Sequence, residues 1–108
     1  MVILKSLNML APGVAANILS VRNDGSIPVY AIVENLDTTS GLTVKWKETN
    51  DGVTFTDIIG STVLINPVNS NGQIVPSNAR TLVLEAQGNV RIDVHIVKNI
   101  NGTPNYEI

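Results

Sequence analysis

The supply of β-branched side chains constrains this chain more than any other feature. Valine (14), isoleucine (12) and threonine (9) together make up 35 of its 108 residues. Such side chains lose rotamer freedom in a helix and pack well on a pleated surface. Leucine (9) and alanine (6) are few, and no segment carries a sustained apolar stripe at helical spacing. Thirteen asparagines, eight glycines and five prolines interrupt the chain at short intervals, which is turn chemistry. An all-β domain follows.

Length and charge narrow the class further. At 108 residues one core and one domain, 1–108, are expected, with residues 1–13 forming an N-terminal arm or an edge strand. A composition 44% apolar and only 15% charged rules out intrinsic disorder. Seven scattered basic residues against nine acidic ones offer no footprint for nucleic acid. No apolar run approaches the roughly 18–20 residues of a spanning helix, so no membrane partner is expected. The apolar N-terminus is broken by Ser6, Asn8, Pro12 and Gly13, and no leader peptide is expected there.

Strand-like runs fall at 2–10, 16–22, 27–36, 42–48, 53–59, 62–65, 80–86 and 90–98. Segment 27–36 is apolar on both faces and is expected to be central in its sheet. Segment 42–48 alternates cleanly, which turns Leu42, Val44 and Trp46 inward. Asn50-Asp51-Gly52 reverses the chain into 53–59, so a hairpin is expected with Val53 and Phe55 facing the core. Residues 66–78 read as a long loop. In 90–98, Val90, Ile92, Val94 and Ile96 face in while Arg91, Asp93 and His95 face out. The fold expected is a two-sheet antiparallel Greek-key sandwich, immunoglobulin-like in strand order, with a jelly roll as the alternative.

Few residues invite chemistry. The absence of cysteine removes a thiol nucleophile and any thiolate metal site. The single histidine, His95, shares its strand face with Arg91 and Asp93, and with no cysteine, no Gly-x-Ser-x-Gly elbow and no second histidine in the chain a polar, charged strand surface is expected. The triplets at 23–25 and 50–52 each offer one carboxylate, which suits a tight turn better than a calcium loop. No catalytic residue, metal ligand or cofactor is therefore expected, and the chain is read as a non-enzyme. The apolar N-terminal residues Val2, Ile3, Leu4 and Leu7 would be a liability if left open, and are expected to form a subunit or partner interface. Removal of residues 1–10 is then expected to weaken assembly and spare the sandwich.

The phrase Val44-Lys45-Trp46-Lys47-Glu48-Thr49-Asn50-Asp51-Gly52-Val53-Thr54-Phe55-Thr56-Asp57-Ile58 resembles a hairpin common in β-sandwich domains. Small virion accessory proteins of tailed bacteriophages carry similar phrases, as do discoidin-like modules of secreted bacterial proteins. A small, cysteine-free sandwich of this kind is similar to head-decoration or cement proteins. That resemblance implies a homo-oligomer, often a trimer, bound to a capsid and located in the virion. The discoidin-like alternative implies a carbohydrate- or cell-surface-binding module, secreted or on a bacterial surface. Its usual aromatic display is thin here, with Tyr30 and Tyr106 the available platforms.

Overall fold

In this structure, a computed structural model, ten antiparallel strands occur among the described residues, the longest of them built on inward apolar residues at a period of two. The structure describes residues 2–23, 29–98 and 106–107, and side chains within 6–23 and 29–97. The strands are β1 (Val2–Leu10), β2 (Ala16–Arg22), β3 (Val29–Asn35), β4 (Leu42–Thr49), β5 (Thr56–Asp57), β6 (Val63–Ile65), β7 (Ser70–Val75), β8 (Thr81–Gln87), β9 (Arg91–Lys98) and β10 (Tyr106–Glu107). The front sheet runs β1-β9-β3-β7, and the back sheet β10-β2-β8-β4-β5, with β6 also paired to β4. From β1 to β4 each successive strand changes sheet, and from β6 to β9 the same alternation returns. A two-sheet Greek-key sandwich is thus what forms, and its strand order is the jelly roll. The immunoglobulin order would instead keep some consecutive strands side by side in one sheet.

The inward faces of both sheets meet in one core. Val29, Ala31, Val33, Ile92, Val94 and Ile96 come from the front, and Leu19, Val21, Leu42, Val44, Trp46, Leu82, Leu84 and Ala86 from the back. Each is at most 2% exposed, and burying each valine, leucine or isoleucine among them contributes about 1.5–3 kcal/mol. Strand β3 lies between β9 and β7, as its two apolar faces imply. No helix long and apolar enough to cross a membrane occurs among the described residues.

Three expectations need correction. First, the 66–78 segment holds strand β7, which pairs with β3 from Val29↔Val75 to Glu34↔Ser70. Asn71-Gly72 there is not a turn: Gly72 lies beneath the Tyr30 ring, where a Cβ would collide with the phenol. Second, Val53 and Phe55 are not core residues, at 80% and 41% exposed. The loop that Asp51 organises extends to Phe55, and β5 begins only at Thr56, so the strand phase assumed for 53–59 never starts. Third, residues 1–10 are not dispensable. Strand β1 pairs with β9 from Val2 to Leu10, and its Leu7 and Met9 pack against the core. Deleting the segment is expected to remove that packing and leave β9 without a neighbour on that side.

Candidate functional site

Strand register assembles a polar cluster on the outer face of the front sheet. Arg91, Asp93 and His95 point outward from β9, and β1 sets Asn8 opposite Asp93 and Ser6 opposite His95. From the other side β3 sets Glu34 opposite Asp93 and Ile32 opposite His95. Ser6 Oγ lies 2.8 Å from His95 Nδ1. Asn8 Nδ2 donates to Asp93 Oδ1 at 2.7 Å, and Arg91 donates to Asn8 Oδ1 at 2.7 Å. His95 Nε2 is 3.4 Å from Glu34 Oε1 but makes no hydrogen bond and is shielded from solvent. The serine, imidazole and carboxylate fall in a row. Acyl transfer, however, also needs free backbone donors beside the nucleophile. Here the imidazole stands on β9, which is paired on both sides, to β1 and to β3, and the serine stands on the edge strand β1. The row orients an imidazole between a hydroxyl and a carboxylate. Sequence inspection finds the row 91/93/95 on its own strand; Ser6, Asn8 and Glu34 reach it only through the pairing of distant strands.

A second feature is a polar groove of about 580 Å³ at one end of the sandwich, between the β4–β5 and β7–β8 connections. Glu48, Asn50, Asp51, Thr54, Ser77 and Asn78 are among its lining residues. Its floor is tied down by side chains acting on backbone. Asn23 Nδ2 donates to the carbonyls of Ser77 and Ala79, both at 3.0 Å. Asn50 Oδ1 accepts from the Arg80 amide at 2.8 Å, and Ser77 donates to Glu48. Asp51 Oδ1 accepts from the Val53 and Thr54 amides at 2.8 and 2.7 Å, while Gly52 supplies a positive φ of 76°. The second Asn-Asp-Gly triplet is thus a turn whose carboxylate is already engaged; most of the first lies outside the described residues.

The Thr54 and Val53 amides hold the Asp51 carboxyl down at about 2, from an ordinary 3.8. A group with a depressed folded-state pKa stabilises the fold above its unfolded pKa and loses that contribution as pH falls through the folded value. The loop is accordingly expected to loosen between about pH 4 and pH 2. Asp51→Ala is expected to reproduce that loosening at neutral pH. Faster hydrogen exchange at the Val53 and Thr54 amides, with core strands unchanged, is the outcome to look for.

On the outer face of the back sheet, Lys45 bridges Asp57 and Glu85 at 3.3 and 3.4 Å, and Lys47 reaches Glu85 at 3.1 Å. Burial pushes the Glu85 carboxyl up, but Lys47 and Lys45 together outweigh it and leave it below its ordinary value. Lys47 also sits 5.6 Å from the centre of the Phe55 ring. This is a partly shielded charge ladder in which only Asp57 is well exposed.

The third feature is an apolar corner beside the front sheet. Leu10 pairs with Arg91 at the end of β1, Leu36 donates its amide to the Arg91 carbonyl, and Val68 donates its amide to Asp37. All three side chains are exposed: Leu10 61%, Leu36 40%, Val68 70%. Of the interface residues expected from sequence, Leu7 is half-buried against its own core. Val2, Ile3 and Leu4 lie in β1, with side chains outside the described set. Tyr30 lies half-buried across Gly72, and Trp46 is fully buried, so neither faces the groove.

No family model matches this chain, and no curated protein matches it in sequence. Among solved structures, the chain is similar to a crystal structure of PirA. The TM-score is 0.59 at 12% identity, over 87% of this chain and 93% of that one. A likeness at that identity concerns the fold.

Proposed function

We propose that this chain is a non-enzymatic assembly module, a small jelly roll that docks on copies of itself and on a larger protein surface. The setting we propose is a phage virion, with the chain acting as a head-decoration or cement-like component that stabilises a capsid. Jelly rolls recur in viral capsid domains, which supports this by analogy of fold alone.

The observation that carries the reading is Val68. Residues Asn66, Pro67, Val68 and Asn69 make a turn closed by the Asn69 amide on the Asn66 carbonyl at 3.2 Å. Val68 stands at its third position with φ 59°, where glycine or asparagine is the normal choice. The other non-glycine residue at positive φ among those described is Asn89, the expected type. An L-residue with a Cβ costs about 1–2 kcal/mol in this region, and a β-branched one is a genuine outlier. Yet Val68 is 70% exposed and returns little to its own core. Strain kept at an exposed apolar residue, beside exposed Leu36 and Leu10, fits a surface that meets a partner.

Val68→Asn separates strain from contact. The monomer is expected to gain about 1 kcal/mol, measured by urea unfolding at a dilution where both proteins are monomeric. Association is expected to weaken at least tenfold. Unchanged association would remove the corner from the interface.

A second reading, a carbohydrate- or cell-surface-binding module on a secreted or surface protein, is favoured by the oxygen-rich groove. Its test is a glycan-dependent shift of the Thr54 and Ala79 amide resonances. Trp46 fluorescence would be a poor reporter, because the indole is fully buried in the core.

A further inference from the structure

The geometry points to a divalent-cation site on the outer face of the front sheet, formed by Glu34, Asp93 and His95 and suited to a borderline ion such as Zn²⁺. One ligand atom from each lies within 4.8 Å of the other two. Donors about 2.1 Å from a tetrahedral ion stand roughly 3.4 Å apart. His95 Nε2 and Glu34 Oε1 already have that spacing, at 3.4 Å. Rotation of the Asp93 carboxyl would complete the set.

Two independent observations favour an ion between these groups. The first is His95 Nε2, a solvent-shielded nitrogen with no hydrogen-bond partner, aimed at a carboxylate oxygen. Such an atom normally costs free energy, and a metal ion would satisfy its lone pair. The second is that Glu34 and Asp93 are directly opposite across the β3–β9 ladder. Like charges facing each other on neighbouring strands destabilise a sheet unless a cation lies between them.

The groups behind the three ligands are arranged to hold them. Ser6 Oγ, 2.8 Å from Nδ1, can accept from an Nδ1–H, and in that tautomer Nε2 is free to coordinate. Asn8 anchors one Asp93 oxygen, and Arg91 in turn holds Asn8. An imidazole and two carboxylates neutralise a doubly charged ion and leave a coordination position open to water or to a partner's side chain.

The test uses the untagged chain, stripped with a chelator. His95 is the sole histidine, so its ring protons are unambiguous in an NMR spectrum. One equivalent of Zn²⁺ is expected to move the His95 ring signals and to raise the melting temperature. Titration calorimetry is expected to give one site per chain. Glu34→Gln and Asp93→Asn are each expected to weaken binding at least tenfold, and Ser6→Ala about tenfold, in line with the usual cost of removing a group that orients a ligand. In the absence of metal, Glu34→Gln is expected to melt higher than the parent, because it relieves the facing charges. Asp57→Asn, on the other sheet, is expected to change nothing. His95 signals that ignore equimolar Zn²⁺, or binding that survives both carboxylate variants, would overturn the site.

Discussion

Asn35→Ala is expected to destabilise the domain by about 3 kcal/mol, the sum of several buried groups left without partners. Asn35 closes β3 and is 1% exposed. Its Nδ2 donates to the carbonyls of Ser40 at 2.9 Å and Ile65 at 3.1 Å, and its Oδ1 accepts from the Asp37 amide at 3.0 Å. One side chain thus ties the β3–β4 connection to the end of β6. Alanine would strand two carbonyls and an amide, each costing about 1–3 kcal/mol where water cannot reach it. The Ser40 and Asp37 contacts are only partly buried, which keeps the total near the lower end. The expected fall in melting temperature is roughly 10–20 °C for a domain of this size. Asn35→Asp is expected to be at least as harmful, since it keeps the acceptor but turns a carboxylate on two carbonyls. A urea midpoint near that of the parent for both variants would contradict this account.

Trp46 carries the second large effect. It is 0% exposed, heads the fully buried side chains in size, and faces its neighbours from the middle of β4. Truncation to alanine leaves a cavity, and Trp→Ala in a core costs about 3–5 kcal/mol, a large share of the 5–15 kcal/mol typical of a domain. Trp46→Phe is expected to cost much less, about 1 kcal/mol. The indole Nε1 is buried with no hydrogen-bond partner, so its removal recovers part of a desolvation penalty of about 1–3 kcal/mol while most of the ring area stays. The strand itself should persist in both variants, because Ser61 and Ile58 hold the Trp46 backbone at 3.0 Å. Equal losses for the two substitutions would mean that the indole N–H is satisfied after all.

Local pattern made the sheets legible and left their meeting points obscure. Strands β1 and β2 fill the runs 2–10 and 16–22, β4 follows the clean alternation that starts at Leu42, and the inward sets around Trp46, Leu84 and Val94 follow from parity alone. Strand β7 was hidden because Asn-Gly is a turn signal in most settings; here it is an interior pair, with Gly72 accommodating the Tyr30 ring. Phe55 was misplaced because hairpin phase assumes a short turn, whereas Asp51 gathers the amides of Val53 and Thr54 into a longer one. Ser6 and His95 are 89 residues apart, and only the β1–β9 pairing makes them neighbours. Sequence patterning carries no signal for that. Val68 could have been suspected, since a residue after proline in a four-residue turn often needs positive φ.

The same topology accounts for where surface function can reside. Interleaving strands between two sheets buries one face of each and leaves the loops at the ends and the outer faces for contact. The polar groove lies between the β4–β5 hairpin and the β7–β8 crossover, and the strained apolar corner on the β3–β4 and β6–β7 crossovers. The histidine cluster is instead built on the rigid ladder of three paired strands.

The proposal that this domain assembles is tested most directly by the solution mass of the purified chain across a dilution series, by light scattering behind a sizing column. The account predicts a discrete oligomer that gives way to monomer on dilution, with Val68→Asn shifting that transition to higher concentration. A monodisperse monomer at every concentration would contradict it and turn attention to the groove.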